Sequence, residues 1–151
     1  ENVKDPSQSL VERFKFELPG AAQVNDDLIY LSTGVYKFLE ENPFKKEVRT
    51  FAVDIPYPIR EQYLFNLMLP EGYEVDALPE AITLNLPEKG GRFQVAVSQS
   101  ERNGMRYAHV NYKLQIDQLH FEPEEYAGLR NFFSLILEKQ EEQIVLRKKL
   151  Q

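Results

Sequence analysis

Cysteine is absent from the 151 residues, and histidine occurs only twice. The first absence excludes disulfides, thiolate metal sites and cysteine nucleophiles in this chain. It leaves the compartment open, because cytosolic and exported bacterial domains alike can lack cysteine. No apolar run approaches the roughly 20 residues that a membrane-spanning helix needs. The opening Glu1-Asn2-Val3 shows neither an initiator methionine nor a signal-peptide apolar region. The expectation is one domain, residues 1–151, cut from a longer protein or released by processing. Positive charge is also scarce: 18 Lys and Arg against 24 Asp and Glu, net −6. Nucleic-acid binding needs a basic footprint, so that class is set aside. The one basic cluster, Arg147-Lys148-Lys149, reads as a solvated end.

What is present suits a packed globule. A hydrophobic content of 42%, with eight Tyr and ten Phe, argues against disorder. A chain of this length buries roughly 68–70% of its unfolded surface, so one core needs no disulfide or metal staple. The elements read mostly as strands. Leu10, Glu12, Phe14, Phe16 and Leu18 alternate with Val11, Arg13, Lys15 and Glu17, which predicts a half-buried strand closed by Pro19-Gly20. A second extended stretch runs through Leu28-Ile29-Tyr30-Leu31 and ends near Gly34. Asn42-Pro43 marks a loop, Val48 to Val53 reads as strand, and Pro56-Tyr57-Pro58 is a connector or an edge.

From Arg60 to Leu69 apolar residues occupy both parities, the pattern of a strand covered on both faces or of one that crosses between layers. Pro70-Glu71-Gly72 turns the chain, and Pro79 and Pro87 bracket a strand around Ile82 to Leu86. Lys89-Gly90-Gly91 is a further turn. Phe93, Val95 and Val97 alternate, as do Ala108, Val110, Tyr112, Leu114 and Ile116. Asn103-Gly104 between these runs is the strongest short hairpin signal, since both residues tolerate positive φ. His109 and Asn111 then fall on the wetter face. After Phe121 the period becomes helical, with Pro123 at a first helical position and Tyr126, Leu129, Phe133 and Ile136 forming the stripe. A short strand, Ile144-Val145-Leu146, follows. The predicted fold is mainly β: an antiparallel, immunoglobulin-like β-sandwich with one α-helix near the C-terminus.

The residues assemble no recognisable catalyst. His109 and His120 lack the spacing of a metal-binding helix, and Asp26-Asp27 with Asp54 lack the ligand loop of a calcium site. No serine sits in a Gly-x-Ser-x-Gly elbow. Lys89-Gly90-Gly91 lacks the remainder of a phosphate-binding loop. The aromatic residues fall mostly on core parity, so packing explains them better than a sugar-stacking platform does. No catalytic residue, cofactor or metal ligand is expected.

Three stretches carry a family resemblance. The first comprises Asn42-Pro43-Phe44-Lys45, Arg49 and Val53-Asp54-Ile55-Pro56-Tyr57-Pro58. The second is Leu69-Pro70-Glu71-Gly72-Tyr73-Glu74-Val75 with Leu78-Pro79. The third is Tyr126-x-x-Leu129-Arg130-x-Phe132-Phe133 with the tail from Gln140 to Lys149. Together they resemble segments of large bacterial transglutaminase-like proteins. There an N-terminal domain of unknown function precedes a papain-like transglutaminase core, and a β-sandwich domain of unknown function follows it. Residues 42–149 are similar to that last domain, whereas residues 9–31 resemble it only in being paired strands.

The family's catalytic Cys, His and Asp belong to the core, so none of their roles carries over to a chain without cysteine. The resemblance implies a periplasmic or cell-surface location in a Gram-negative bacterium. It also implies a noncatalytic accessory domain whose partner is the transglutaminase-like core of the same polypeptide. Phe44, Arg49, Tyr57 and Arg60 lie in or beside the family-like connector and are the candidate interface, being anchor residue types. Two alternatives stay open: an independent module for a glycan or protein ligand, and an enzyme whose two carboxylates converge about 5–9.5 Å apart.

Overall fold

A computed structural model describes residues 7, 10–35 and 37–149. Its strands are β1 (Ala22–Asn25), β2 (Leu28–Ser32), β3 (Val53–Asp54), β4 (Ile59–Met68), β5 (Tyr73–Ala77), β6 (Ile82–Asn85), β7 (Gly91–Arg102), β8 (Met105–Ile116), β9 (His120–Phe121) and β10 (Gln143–Lys148). One α-helix, α1, spans Tyr126–Gln140. Every strand pairing is antiparallel.

The long β7–β8 hairpin organises the larger sheet. Asn103 and Gly104 sit at φ 53° and 74°, and positive φ at both central residues matches the right-handed twist of the strands they join. Register then runs from Arg102↔Met105 to Gly91↔Ile116. The other edge of β8 takes β4, and β6 adds beside β7, giving the order β4-β8-β7-β6. The second sheet has the order β1-β2-β10-β5, and β3 and β9 form a short separate ribbon.

Side chains alternate across each strand, so the register sorts them onto two faces. Phe93 and Val95 of β7 point inward with Ala108, Val110, Tyr112, Leu114 and Ile116 of β8. Ile144 and Leu146 of β10 enter the same core from the other sheet. The two sheets thus form a sandwich-like arrangement. The helical stripe of α1 (Leu129, Phe132, Phe133, Ile136) is buried in that core as well. Glu122 and Glu125 form a capping box around Pro123, and a short 3-10 turn leads into α1. That box satisfies amide donors which a helix start leaves open.

Three expectations change. Residues 10–18 form neither helix nor strand, and Leu10, Phe14, Phe16 and Leu18 are exposed. The partner of β2 is β1, joined to it by the two-residue Asp26-Asp27 turn. Behind Pro19, Gly20 at φ 84° and the Ala21 N–H donating to the Leu18 carbonyl make a turn of type II character. Such a turn splays its flanking segments instead of twisting them into a hairpin. The strand anticipated over Val48 to Val53 shrinks to β3, and Val48 and Phe51 are exposed. Finally, β4 is covered on one side only: Tyr63, Phe65 and Leu67 pack against the core, whereas Leu64 and Met68 face outward. β5 was not anticipated; its Tyr73 follows the Pro70-Glu71-Gly72 turn directly.

Candidate functional site

The connector between β2 and β3 is held where hydrogen bonds and rings fasten it, and it projects where they stop. Asn42 Nδ2 donates to the Arg130 carbonyl and approaches Ser134 Oγ, both at 2.9 Å, while its Oδ1 accepts the Phe44 N–H at 2.8 Å. This is the local side-chain-to-backbone bonding that makes Asn a loop residue. It drives the Phe44 ring edge-on against Phe133 and Tyr126, at centroid distances of 5.1 and 5.9 Å. Arg130 Nε donates to the Phe44 carbonyl at 3.1 Å, and the Tyr126 hydroxyl donates to the Lys46 carbonyl at 2.7 Å. Upstream, the buried Gln140 clasps the same connector, accepting from Phe38 N–H and donating to the Leu39 carbonyl.

Beyond Lys46 the chain leaves the helix. Val48 and Phe51 are 75% and 78% exposed. Between this projecting segment and the start of α1 lies an open groove of about 550 Å³, lined by Phe44, Lys46, Val48, Arg49, Phe51 and Tyr126 among others. Its wall is apolar with a basic rim. Lys45 pairs with Glu41 at 2.6 Å, an exposed pair of small energetic weight.

The structure brings two of the four sequence candidates together here, Phe44 and Arg49. Tyr57 is exposed on the Pro56–Pro58 connector and does not line the groove. Arg60 lies on the outer face of β4, donating to Asp117 Oδ1 at 2.6 Å. Val48, Phe51 and Tyr126 were missed. A signal for the first two existed: they fall on opposite parities of the supposed strand, so no single buried face could take both.

Two polar constellations lie elsewhere. On the outer face of β4-β8-β7, Ser100 Oγ is 2.7 Å from His109 Nε2, and His109 Nδ1 is 2.7 Å from Asn66 Oδ1. Asn66 can only accept through Oδ1, so it fixes the Nδ1–H tautomer and leaves Nε2 to accept the serine proton. Nucleophile, base and orienting group therefore stand in order. The three side chains lie exposed on the sheet face near the hairpin end, where β7 is paired with β8 and β6 no longer flanks it. The arrangement is that of a hydrogen-bonded row on an open face.

The second constellation is at the β3–β9 ribbon. His120 Nδ1 is 2.7 Å from Asp54 Oδ1, and Nε2 is 3.3 Å from Glu122 Oε1. The hydrogen bond to Asp54, then that to Glu122, raises the His120 pKa above its ordinary 6.5. Among the described residues no cluster of three or more His, Asp or Glu is arranged to hold a metal ion. None of their helices is long and apolar enough to cross a membrane.

The sequence also matches a known family. A family described as a domain of unknown function with a solved structure, DUF3858, matches residues 27–146. The chain belongs to the DUF3858 family. The match runs from the β1–β2 turn to within β10, leaving β1 and residues 10–18 outside it. No curated protein matches the sequence. In fold, this DUF3858 domain is similar to a crystal structure of a proposed protease from Parabacteroides distasonis, with a TM-score of 0.63 at 14% identity. The alignment covers 83% of this chain and 24% of that one, so the domain spans about a quarter of its structural neighbour.

Proposed function

We propose that this DUF3858 domain is a noncatalytic accessory domain of a transglutaminase-like protein, exported to the periplasm or cell surface of a Gram-negative bacterium. It docks on the papain-like core of the same polypeptide. The observation that carries this reading is the groove at the start of α1, where Val48 and Phe51 stand exposed beside the anchored Phe44. Large apolar side chains on a segment stitched down at one end suit an interface core, and Arg49 suits its rim. The resemblance of residues 42–149 to the domain that follows a transglutaminase core supports the partner. So does the domain's share of the longer structural neighbour. In this role the domain acts by burying surface against the core and shaping access to its cleft.

Fully burying Val48 and Phe51 would each contribute about 1.5–3 kcal/mol. Calorimetric titration of this chain with the separately expressed core tests the reading, with micromolar or tighter binding expected. Val48→Ser/Phe51→Ser should weaken binding by at least about tenfold, since 1.4 kcal/mol is a factor of ten. A folded double variant that binds as tightly as wild type would remove the groove from the interface. No binding by the wild type would remove the accessory reading.

A further inference from the structure

The run from Leu10 to Leu18 has the composition of a strand yet forms none. Phe14 and Phe16 are 77% and 64% exposed, and Leu10 and Leu18 are also open to water. Glu12 and Val11 break the alternation upstream, but from Phe14 to Leu18 the three apolar residues lie on one parity with Lys15 and Glu17 on the other, so an extended chain there would present one apolar side and one charged side. That five-residue alternation is fitted to a surface covered on one face. The Pro19-Gly20 turn directs this run away from β1, so the hairpin that would cover it within the domain is not made. The run also lies outside residues 27–146, which match the family.

We infer that residues 14–18 form a β-strand added to an open sheet edge of the domain that adjoins this one in the longer polypeptide. Phe14, Phe16 and Leu18 seat on that domain's core, and Lys15 and Glu17 face water. This is β-strand addition, in which main-chain hydrogen bonds bind and alternate side chains select. The adjoining domain is favoured over a second copy by two observations. The structural neighbour is about four times the length covered here, so the fold occurs within a longer chain. A tight turn also tethers the run to the sandwich, which gives a neighbour on the same chain an effective concentration of order mM. The inference rests on the accessory reading only in placing a second domain on the polypeptide; it does not use the groove.

Hydrogen exchange of residues 14–18 tests it, comparing this chain with the full-length parent protein. These amides should exchange at least about 100-fold more slowly in the parent, with alternate amides protected as in an edge strand. Phe14→Ser/Phe16→Ser in the parent should abolish that protection while the unfolding midpoint of the sandwich stays put. Val48→Ser/Phe51→Ser should leave it intact, which separates failure of the groove from failure of the strand. Equal exchange in the two proteins would overturn the inference. So would protection that appears only at high protein concentration, the mark of a second copy, or protection that survives Phe14→Ser/Phe16→Ser.

Discussion

Thr33 and Tyr112 link the two sheets through one buried polar contact, and its asymmetry can be measured. Thr33 Oγ1 lies 2.8 Å from the Tyr112 hydroxyl and 3.3 Å from the Glu142 carbonyl, and both side chains are nearly inaccessible to solvent. A carbonyl can only accept, so the Thr33 proton goes to Glu142 and Tyr112 donates to Thr33. Tyr112→Phe removes this donor and keeps the ring stacked between Tyr63 and Phe93, at 6.1 and 6.4 Å. Thr33 still has Glu142 as its acceptor, so the cost is one net hydrogen bond, about 0.5–1.5 kcal/mol. Thr33→Val keeps the shape but strands the Tyr112 hydroxyl in the core. That cost is about 1–3 kcal/mol, the penalty of an unsatisfied buried group.

The double variant Thr33→Val/Tyr112→Phe has no orphaned hydroxyl on either side chain. Its loss should fall well below the sum of the two singles and below that of Thr33→Val alone. Urea unfolding at constant slope reads all four proteins, and with slopes of about 1–3 kcal/mol/M a 2 kcal/mol loss moves the midpoint by about 1 M. Desolvation also raises the Tyr112 pKa, in keeping with a hydroxyl that stays protonated as the donor. The reasoning fails if Tyr112→Phe costs more than Thr33→Val, or if the two losses simply add.

Three further outcomes follow from local geometry. His120 should titrate above 6.5 by NMR, and Asp54→Asn should lower its pKa, because Asp54 supplies the leading hydrogen bond. Since the folded pKa is the higher one, the clasp's contribution is complete below the unfolded value and is lost as pH rises through the folded value. A His120 that titrates at or below 6.5 would contradict the clasp. Gly104→Ala should destabilise by about 1–2 kcal/mol, the strain of a left-handed residue, because nothing lies within 4 Å of its added Cβ and only the φ of 74° is at issue. Leu129→Ala, at a position with no exposure, should cost about 2–5 kcal/mol, read from the same urea transition.

The parts of the fold legible in the sequence are those whose causes are local. The β7–β8 hairpin follows from alternation on both sides of Asn103-Gly104, and α1 from its apolar stripe behind Pro123. The return to a strand at Ile144 follows from a β-branched run. Residues 10–18 and 48–52 misled for a shared reason. Alternation and β-branching report that a segment could lie on a sheet, but only a partner edge makes it a strand. β2 takes β1 as a partner because the two-residue Asp26-Asp27 turn joins them directly, and the Pro19-Gly20 turn diverts the rival run. Of the candidate site, Phe44 and Arg49 were visible as anchor types in a family-like connector. Val48 and Phe51 were hidden by being read as strand residues.

Composition and pattern by themselves determined a cysteine-free, mainly β chain with one late helix, because hydrophobic period and turn chemistry act over a few residues. The tertiary structure alone decided which segments meet. Strand register sets Asn66, His109 and Ser98 across one row of the sheet and brings Ser100 against the His109 ring. The meeting of the two sheets joins Thr33 to Tyr112 across 79 positions. The docking of Phe44 against α1 opens the groove. Contacts so distant in sequence depend on where the whole chain can close its core, and no local propensity encodes that.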